Sequence, residues 1–174
     1  RRLEAAGFRV SQTRSEDRFI PLEERSRIAN RLEADLFLSL HFNASVKSAV
    51  SGIETFIYTP PGQPSTSRAE VLELDRRIYP GNRHGPWSTL AGYYVQRNLL
   101  EATGATDRGL KRARFTVLEG LQMPGLLIEG GFVSHETEGR NIGSAAYRDT
   151  LAKAIVEGVL TYRKTLQRLP PAEP

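Results

Sequence analysis

Two ionisable residues close the two most apolar runs in the chain. His41 follows Leu36-Phe37-Leu38-Ser39-Leu40, and Glu129 follows Leu126-Leu127-Ile128 and precedes Gly130-Gly131. A neutral imidazole is a good zinc ligand, and a carboxylate can act as general base toward a metal-bound water. Two groups are fewer than the three protein ligands of a catalytic zinc site. A histidine and a glutamate that each hydrogen-bond at a strand end read as well from the chemistry alone. His84 sits in a proline-rich stretch and reads as a solvent-facing loop residue. His135 stands at the head of a short helical pattern and reads as a cap. Arg108, Lys111, Arg112 and Arg114 form a basic run that either holds an anionic substrate or is a solvated loop. No phosphate-cradling glycine loop, nucleophile elbow or aromatic-studded nucleic-acid patch is present. The chain has no cysteine, which excludes disulfides, thiol catalysis and cysteine metal sites.

A site made from His41 and Glu129 needs two buried strands whose carboxyl ends lie side by side. Asp35 to His41 is apolar or small on both parities, the pattern of a strand covered on both faces. Gly125 to Gly131 reads the same way. Gly52 to Tyr58 alternates Ile53, Thr55 and Ile57 against Phe56 and Tyr58, a further strand. Phe8, Val10 and Gln12 keep strand spacing, and Phe115 to Leu118 reads as a short strand. Helices are expected from Pro21 to Glu33, Trp87 to Thr103 (ended by Gly104) and Tyr147 to Leu166. The last presents Leu151, Ala154, Ile155, Val159 and Tyr162 inward. Arg1 to Ala6 reads as the end of a helix capped by Gly7, so material upstream is expected. Asp107 to Arg114 reads as a basic loop, and 60–86 as an irregular, proline-rich and glycine-rich insertion. Strands alternating with helices predict one α/β domain over 1–168. It has a central, mostly parallel twisted sheet flanked by helices on both faces, and a tail over 169–174.

At 174 residues the chain suits a single domain with a real core. No apolar run approaches the ~20 residues of a membrane span, and the start does not read as a signal peptide. The chain opens on Arg1-Arg2, the look of a processed or cut product. A net charge of +4 tolerates anionic partners without marking a polyanion site.

The ordered pieces resemble a family. They are Thr13-Arg14 with Asp17; Leu22, Arg25, Ala29 and Asn30; Ala34-Asp35, Phe37, Ser39-Leu40-His41 and Asn43-Ala44. Gly52 with Glu54, Arg108-Gly109 with Lys111, and Pro124, Leu127, Glu129, Gly131-Phe132 and Ser134 follow. Together they resemble the zinc-dependent N-acetylmuramoyl-L-alanine amidases of bacterial cell walls, the amidase_3 type. The resemblance implies cleavage of the amide between N-acetylmuramic acid and the L-alanine of the stem peptide in peptidoglycan, in an extracytoplasmic setting. It implies Zn2+ as cofactor, His41 as a metal ligand and Glu129 as general base. Asn43, Arg108 and Lys111 are expected to bind substrate. Three departures stand out. The family's earlier histidine and glutamate ligands have no match here, so the chain as it stands is expected to hold zinc weakly or not at all. The 60–86 stretch exceeds the family minimum, and either gates the cleft or shapes substrate choice, or is a passive insertion. His135 replaces a frequent asparagine. A non-catalytic peptidoglycan-binding module, or a degenerate amidase without a complete zinc site, is the alternative; a zinc peptidase acting on another amide is a third.

Overall fold

The computed structural model describes residues 1–170. Residues 171–174, most of the expected tail, lie outside the described part. Four strands form one sheet: β1 (Phe37–Asn43), β2 (Ile53–Tyr58), β3 (Asp107–Ala113) and β4 (Gly125–Phe132), in the spatial order β1-β4-β2-β3. Among the described residues six α-helices accompany it: α1 (Arg2–Ala5), α2 (Leu22–Arg31), α3 (Gly85–Thr103), α4 (Thr116–Glu119), α5 (Glu136–Gly143) and α6 (Ala145–Leu166). β1 pairs with β4 in parallel, β2 with β3 in parallel, and β2 with β4 antiparallel. The carboxyl ends of β1 and β4 therefore share one end of the sheet with the amino ends of β2 and β3.

Side chains alternate across the strands and sort the sheet into two covered faces. On one face Ile53, Ile57, Leu126 and Ile128 pack with Ala91, Val95 and Leu99 of α3 and with Leu151, Ile155 and Val159 of α6. On the other, Phe37, Tyr58 and Leu127 pack with Ala29 of α2 and with Val117 and Leu118 of α4. Each large apolar side chain so buried contributes about 1.5–3 kcal/mol relative to exposure. The two long helices approach closely at Gly158, where an added Cβ would lie 2.7 Å from the Val95 Cα. Thr55 Oγ1 donates to Gln96 Oε1 at 2.8 Å, and Gln96 Nε2 donates to the Ile53 carbonyl at 2.9 Å, so the polar atoms between β2 and α3 are paired.

The α/β layering, the order of the histidine- and glutamate-bearing strands and the long helices agree with the sequence reading. Gly104 takes a left-handed φ of +65° and ends α3. Four expectations are corrected. β1 is not covered on both faces: it lies at the edge of the sheet, and on the parity opposite Phe37, Ser39 and His41 it leaves Leu40 and Phe42 exposed. Phe8 to Gln12 joins no strand ladder; instead Arg163 lies over the Phe8 ring, 4.4 Å from its centroid. Asp107 to Ala113 is β3, an edge strand rather than a loop. An edge strand pairs on one side only, so alternating cations cost it little. Phe115 to Leu118 is not a strand: Thr116–Glu119 forms a single helical turn, too short for periodicity to distinguish from a strand.

The 60–86 insertion leaves from the carboxyl end of β2, one strand length from Glu54, which is about 13 Å at ~3.3 Å per residue. It forms two short 3-10 turns, Glu73–Arg76 and Pro80–Asn82. It is pinned by Asp75, which is fully buried and paired with Arg68 and with Arg114. Arg114 also donates to the carbonyls of Thr59, Pro60, Gln63 and Asp75. The insertion is thus anchored at the end of the sheet away from His41 and Glu129.

Candidate active site

Parity brings the ionisable residues together. Phe37, Ser39, His41 and Asn43 share one face of β1, and that face meets Leu127 and Glu129 of β4 and Glu54, Phe56 and Tyr58 of β2. His41 and Glu129 are register partners across the parallel pair. Glu54 and Glu129 are register partners across the antiparallel pair. Three ionisable side chains on three adjacent strands therefore stand in a row.

Each of the three has a different setting. The buried Ser39 hydroxyl lies 2.9 Å from His41 Nε2 and orients the ring. Burial, helped by the charge of Arg25 on α2, holds the imidazole below its usual pKa, so it is neutral and can offer a lone pair. Glu54 is buried but heavily bonded. Its Oε1 accepts from Asn43 Nδ2 at 2.8 Å, and its Oε2 accepts from Arg108 Nε at 2.8 Å and from Lys111 Nζ at 2.5 Å. Burial alone would raise its carboxyl pKa, but the bonds from Lys111 and Arg108 outweigh it and hold the group ionised. Glu129 has no such support. Among the described residues its Oε2 is buried with no hydrogen-bond partner. Burial, with the Glu54 charge second, pushes it up to about 7. A carboxyl that titrates near neutrality beside a neutral imidazole can take up and return a proton, which is what acid–base chemistry asks of it.

The end of the site is held by α5. His135 is its N-cap, with Nδ1 accepting from the Glu138 amide at 3.3 Å. Glu138 Oε1 accepts from the Gly52 amide and Oε2 from the Phe132 amide, both at 2.7 Å, tying the start of β2 to the end of β4. Gly131, at φ +129°, makes the turn that lets Phe132 reach this carboxylate.

His41, Glu129, Arg108 and Lys111 all fall at this end of the sheet. Asn43 does too, but its amide bonds inward, donating to Glu54 and accepting from the Ala44 amide at 2.8 Å. Arg114 belongs to the opposite end, on Asp75, and His84 stands at the start of α3. Glu54 is the residue that the sequence left without a role. Its signal was a charge inside an otherwise apolar alternation, on the parity of Phe56 and Tyr58. Among the described residues no three His, Asp or Glu side chains converge as a metal site. His41 and Glu129 provide an imidazole and an open carboxylate, so the residues brought together here do not make up the three-ligand set of a catalytic zinc.

Comparison with known proteins gives the family. A family model described as N-acetylmuramoyl-L-alanine amidase matches residues 1–161. The chain is 32% identical over 161 residues to the N-acetylmuramoyl-L-alanine amidase LytC of Bacillus subtilis, covering 92% of this chain and 28% of that protein. It is 29% identical over 180 residues to the N-acetylmuramoyl-L-alanine amidase AmiA of Escherichia coli, covering 90% of this chain and 61% of that protein. The chain thus spans only part of these relatives. The solved catalytic domain of CwlV, an N-acetylmuramoyl-L-alanine amidase from Bacillus (Paenibacillus) polymyxa var. colistinus, superposes with a TM-score of 0.71 at 28% identity, covering 90% of this chain and 73% of that one. With nearly its whole length matched by the family model and its sheet shared with a solved catalytic domain, the chain belongs to the N-acetylmuramoyl-L-alanine amidase family.

Proposed function

We propose that this chain is the catalytic unit of a peptidoglycan amidase, cutting the amide between N-acetylmuramic acid and L-alanine. The observation that carries the reading is the Glu129 carboxylate: buried, unpartnered at Oε2, pushed up to about 7, and level with His41 at the carboxyl ends of two parallel strands. Glu129 acts as the general base that takes a proton from the attacking water and returns it to the leaving amine. Zinc comes to this reading from the family. His41 would be one of its ligands, and the remaining donors are not among the side chains that meet here. Arg108 and Lys111 bind substrate, and Asn43 supports them through Glu54. The names of the relatives support peptidoglycan as the substrate and an extracytoplasmic place of action.

The test is product analysis on purified sacculi. Wild-type protein releases peptides with a free L-alanine amino terminus, and Glu129→Ala releases none while keeping its fold. Cleavage by the alanine variant would remove Glu129 from the reaction.

A second reading, a peptidoglycan-binding module without catalysis, draws on the incomplete ligand set. Zinc per chain, measured beside cleavage of sacculi, separates the two. About one zinc with cleavage supports the amidase. No zinc, with binding to sacculi retained and no cleavage, supports the module.

A further inference from the structure

The fold separates basic residues that are close in sequence. Arg114, 9% exposed, is taken up by Asp75 and four backbone carbonyls at the far end of the sheet. Arg112 pairs with Ile57 and is exposed there. Arg108 and Lys111 stand at the other end, on β3 with β2 between them and Glu129, and both reach the same Glu54 oxygen. One cation is enough to neutralise a buried carboxylate, so the second is surplus charge. Glu54 is 5% exposed, while Arg108 and Lys111 are 31% and 21% exposed, so the cations face outward from it. Among the described residues Lys111 makes one hydrogen bond of the three its ammonium offers. Arg108 spends Nε on Glu54 and makes a long 3.4 Å contact from Nη1 to the Ser51 carbonyl. The Phe132 ring lies 5.1 Å from the guanidinium and the Phe56 ring 5.8 Å from the ammonium, which limits where the two side chains can swing.

We propose that Arg108 and Lys111, held together on Glu54, form a subsite for a free carboxylate on the peptide side of the substrate. The inference rests on the amidase reading for the position of the scissile bond. Glu54 and Glu129 are cross-strand partners, about 4.5–5.5 Å apart at Cα. A peptide residue spans about 3.3–3.6 Å. A carboxylate on the first or second residue beyond the scissile amide therefore reaches the cations while the amide lies at Glu129. The preferred substrate class is an N-acylated L-alanyl peptide with an acidic group there, and the same peptide with that group amidated is a poor ligand. The incoming carboxylate shares the donors with Glu54 rather than displacing it, since Lys111 makes only one of its three possible hydrogen bonds among the described residues.

The test is calorimetry on Glu129→Gln protein, which consumes no substrate, with two synthetic N-acetylmuramoyl-L-alanyl dipeptides. One carries a free carboxylate on the second residue and the other a carboxamide. The free carboxylate is expected to bind about tenfold more tightly, the scale of one charge-assisted hydrogen bond, and the difference shrinks as salt rises. Adding Lys111→Gln leaves Arg108 to compensate Glu54 and brings the two affinities within about twofold; adding Lys111→Arg keeps the preference. Equal affinities in the starting protein, a preference that survives both Lys111→Gln and Arg108→Gln, or no binding of either dipeptide overturns the subsite. Its failure is distinct from failure of the amidase reading. Wild-type protein that releases L-alanyl peptides from sacculi but ignores the carboxylate keeps the activity and loses the subsite. Protein that cleaves nothing, yet prefers the free carboxylate in a peptide without the muramoyl group, keeps the subsite and loses the activity.

Discussion

Glu54 and Glu129 face each other across the antiparallel pair of β2 and β4, and only one of them is neutralised. Arg108, Lys111 and Asn43 converge on Glu54, while Glu129 keeps a buried oxygen without a donor. The same fold thus lowers the pKa of one carboxyl through its donors and leaves its neighbour, pushed up to about 7, able to change state near neutral pH. Two carboxyl groups pushed apart in this way take different roles, the first as a fixed anchor and the second as a proton carrier.

Glu129 has a predictable effect on stability. Its folded pKa, pushed up to about 7, lies above the unfolded value of about 4.3. Its contribution is fully present below about pH 4.3 and is lost as pH rises through about 7. Glu129→Gln in the metal-free chain should raise Tm by about 5 °C at pH 8 and leave it unchanged at pH 4, as read by thermal melts across that range. Equal melting shifts at both pH values would contradict the raised pKa.

The same substitution should abolish proton transfer without disturbing the site. Glutamine keeps the shape of the side chain and loses the base. In protein that cleaves sacculi, turnover should fall by about 10^2- to 10^4-fold with circular dichroism unchanged. The wild-type rate should climb on the acid side as Glu129 ionises. Activity within a few fold of wild type would move the base elsewhere.

Asp75 should control acid stability from the other end of the sheet. Hydrogen bonds from Arg68, then those from Arg114 and the Leu72 amide, hold its carboxyl far below the usual range against the cost of burial. Its contribution is present above the unfolded value of about 3.9 and is lost as pH falls through the folded value. Asp75→Asn should lower Tm at pH 7 by about 10 °C, because it leaves Arg114 buried beside a neutral group. The deficit should narrow at the lowest pH. Cleavage at temperatures where the variant is folded should stay within about twofold of wild type, since the insertion is anchored away from Glu129.

Glu138 should act on the site through the backbone. Glu138→Ala leaves the Gly52 and Phe132 amides without their carboxylate acceptor. The expected loss is about 2 kcal/mol in urea denaturation. Amide hydrogen exchange at Gly52 and Phe132 should quicken ahead of that at core residues such as Leu126, and equal exchange at both would place the two amides outside the reach of Glu138.

Gly158 tests the layer behind the sheet. An alanine Cβ there meets the Val95 Cα at 2.7 Å, the Val95 nitrogen at 2.9 Å and the Tyr94 carbonyl oxygen at 3.0 Å. These are backbone atoms and cannot rotate away. Gly158→Ala should destabilise the fold by about 1–3 kcal/mol in urea denaturation, despite alanine's better helix propensity. A more stable variant would show that α3 and α6 can separate without cost.

The readable parts of the site and the missed ones differ for a physical reason. His41 and Glu129 end runs that are apolar on both parities, which marks a strand locally; β4 is indeed covered on both faces, while β1, at the edge, leaves Leu40 and Phe42 exposed. The long helices carried their burial pattern in the same way, as Leu151, Ile155 and Val159 of α6 illustrate. β3 was hidden because an edge strand pairs on one side and can be as polar as a loop. Thr116–Glu119 was hidden because one helical turn holds no periodicity to detect. The expected strand at Phe8 to Gln12 had the right alternation but found no ladder, and alternation alone does not supply one.

The sequence by itself determined the alternation of strands and helices, the two strand-end residues and their kinship, because each depends on side chains within a few positions of one another or on their order along the chain. The tertiary structure decided which charges meet. Placing β2 antiparallel to β4 set Glu54 opposite Glu129, and pairing β3 with β2 brought Arg108 and Lys111 to Glu54 while sending Arg114 to Asp75. Those partners lie dozens of residues apart, and only strand register, fixed by burial of both sheet faces, brings them within hydrogen-bonding distance.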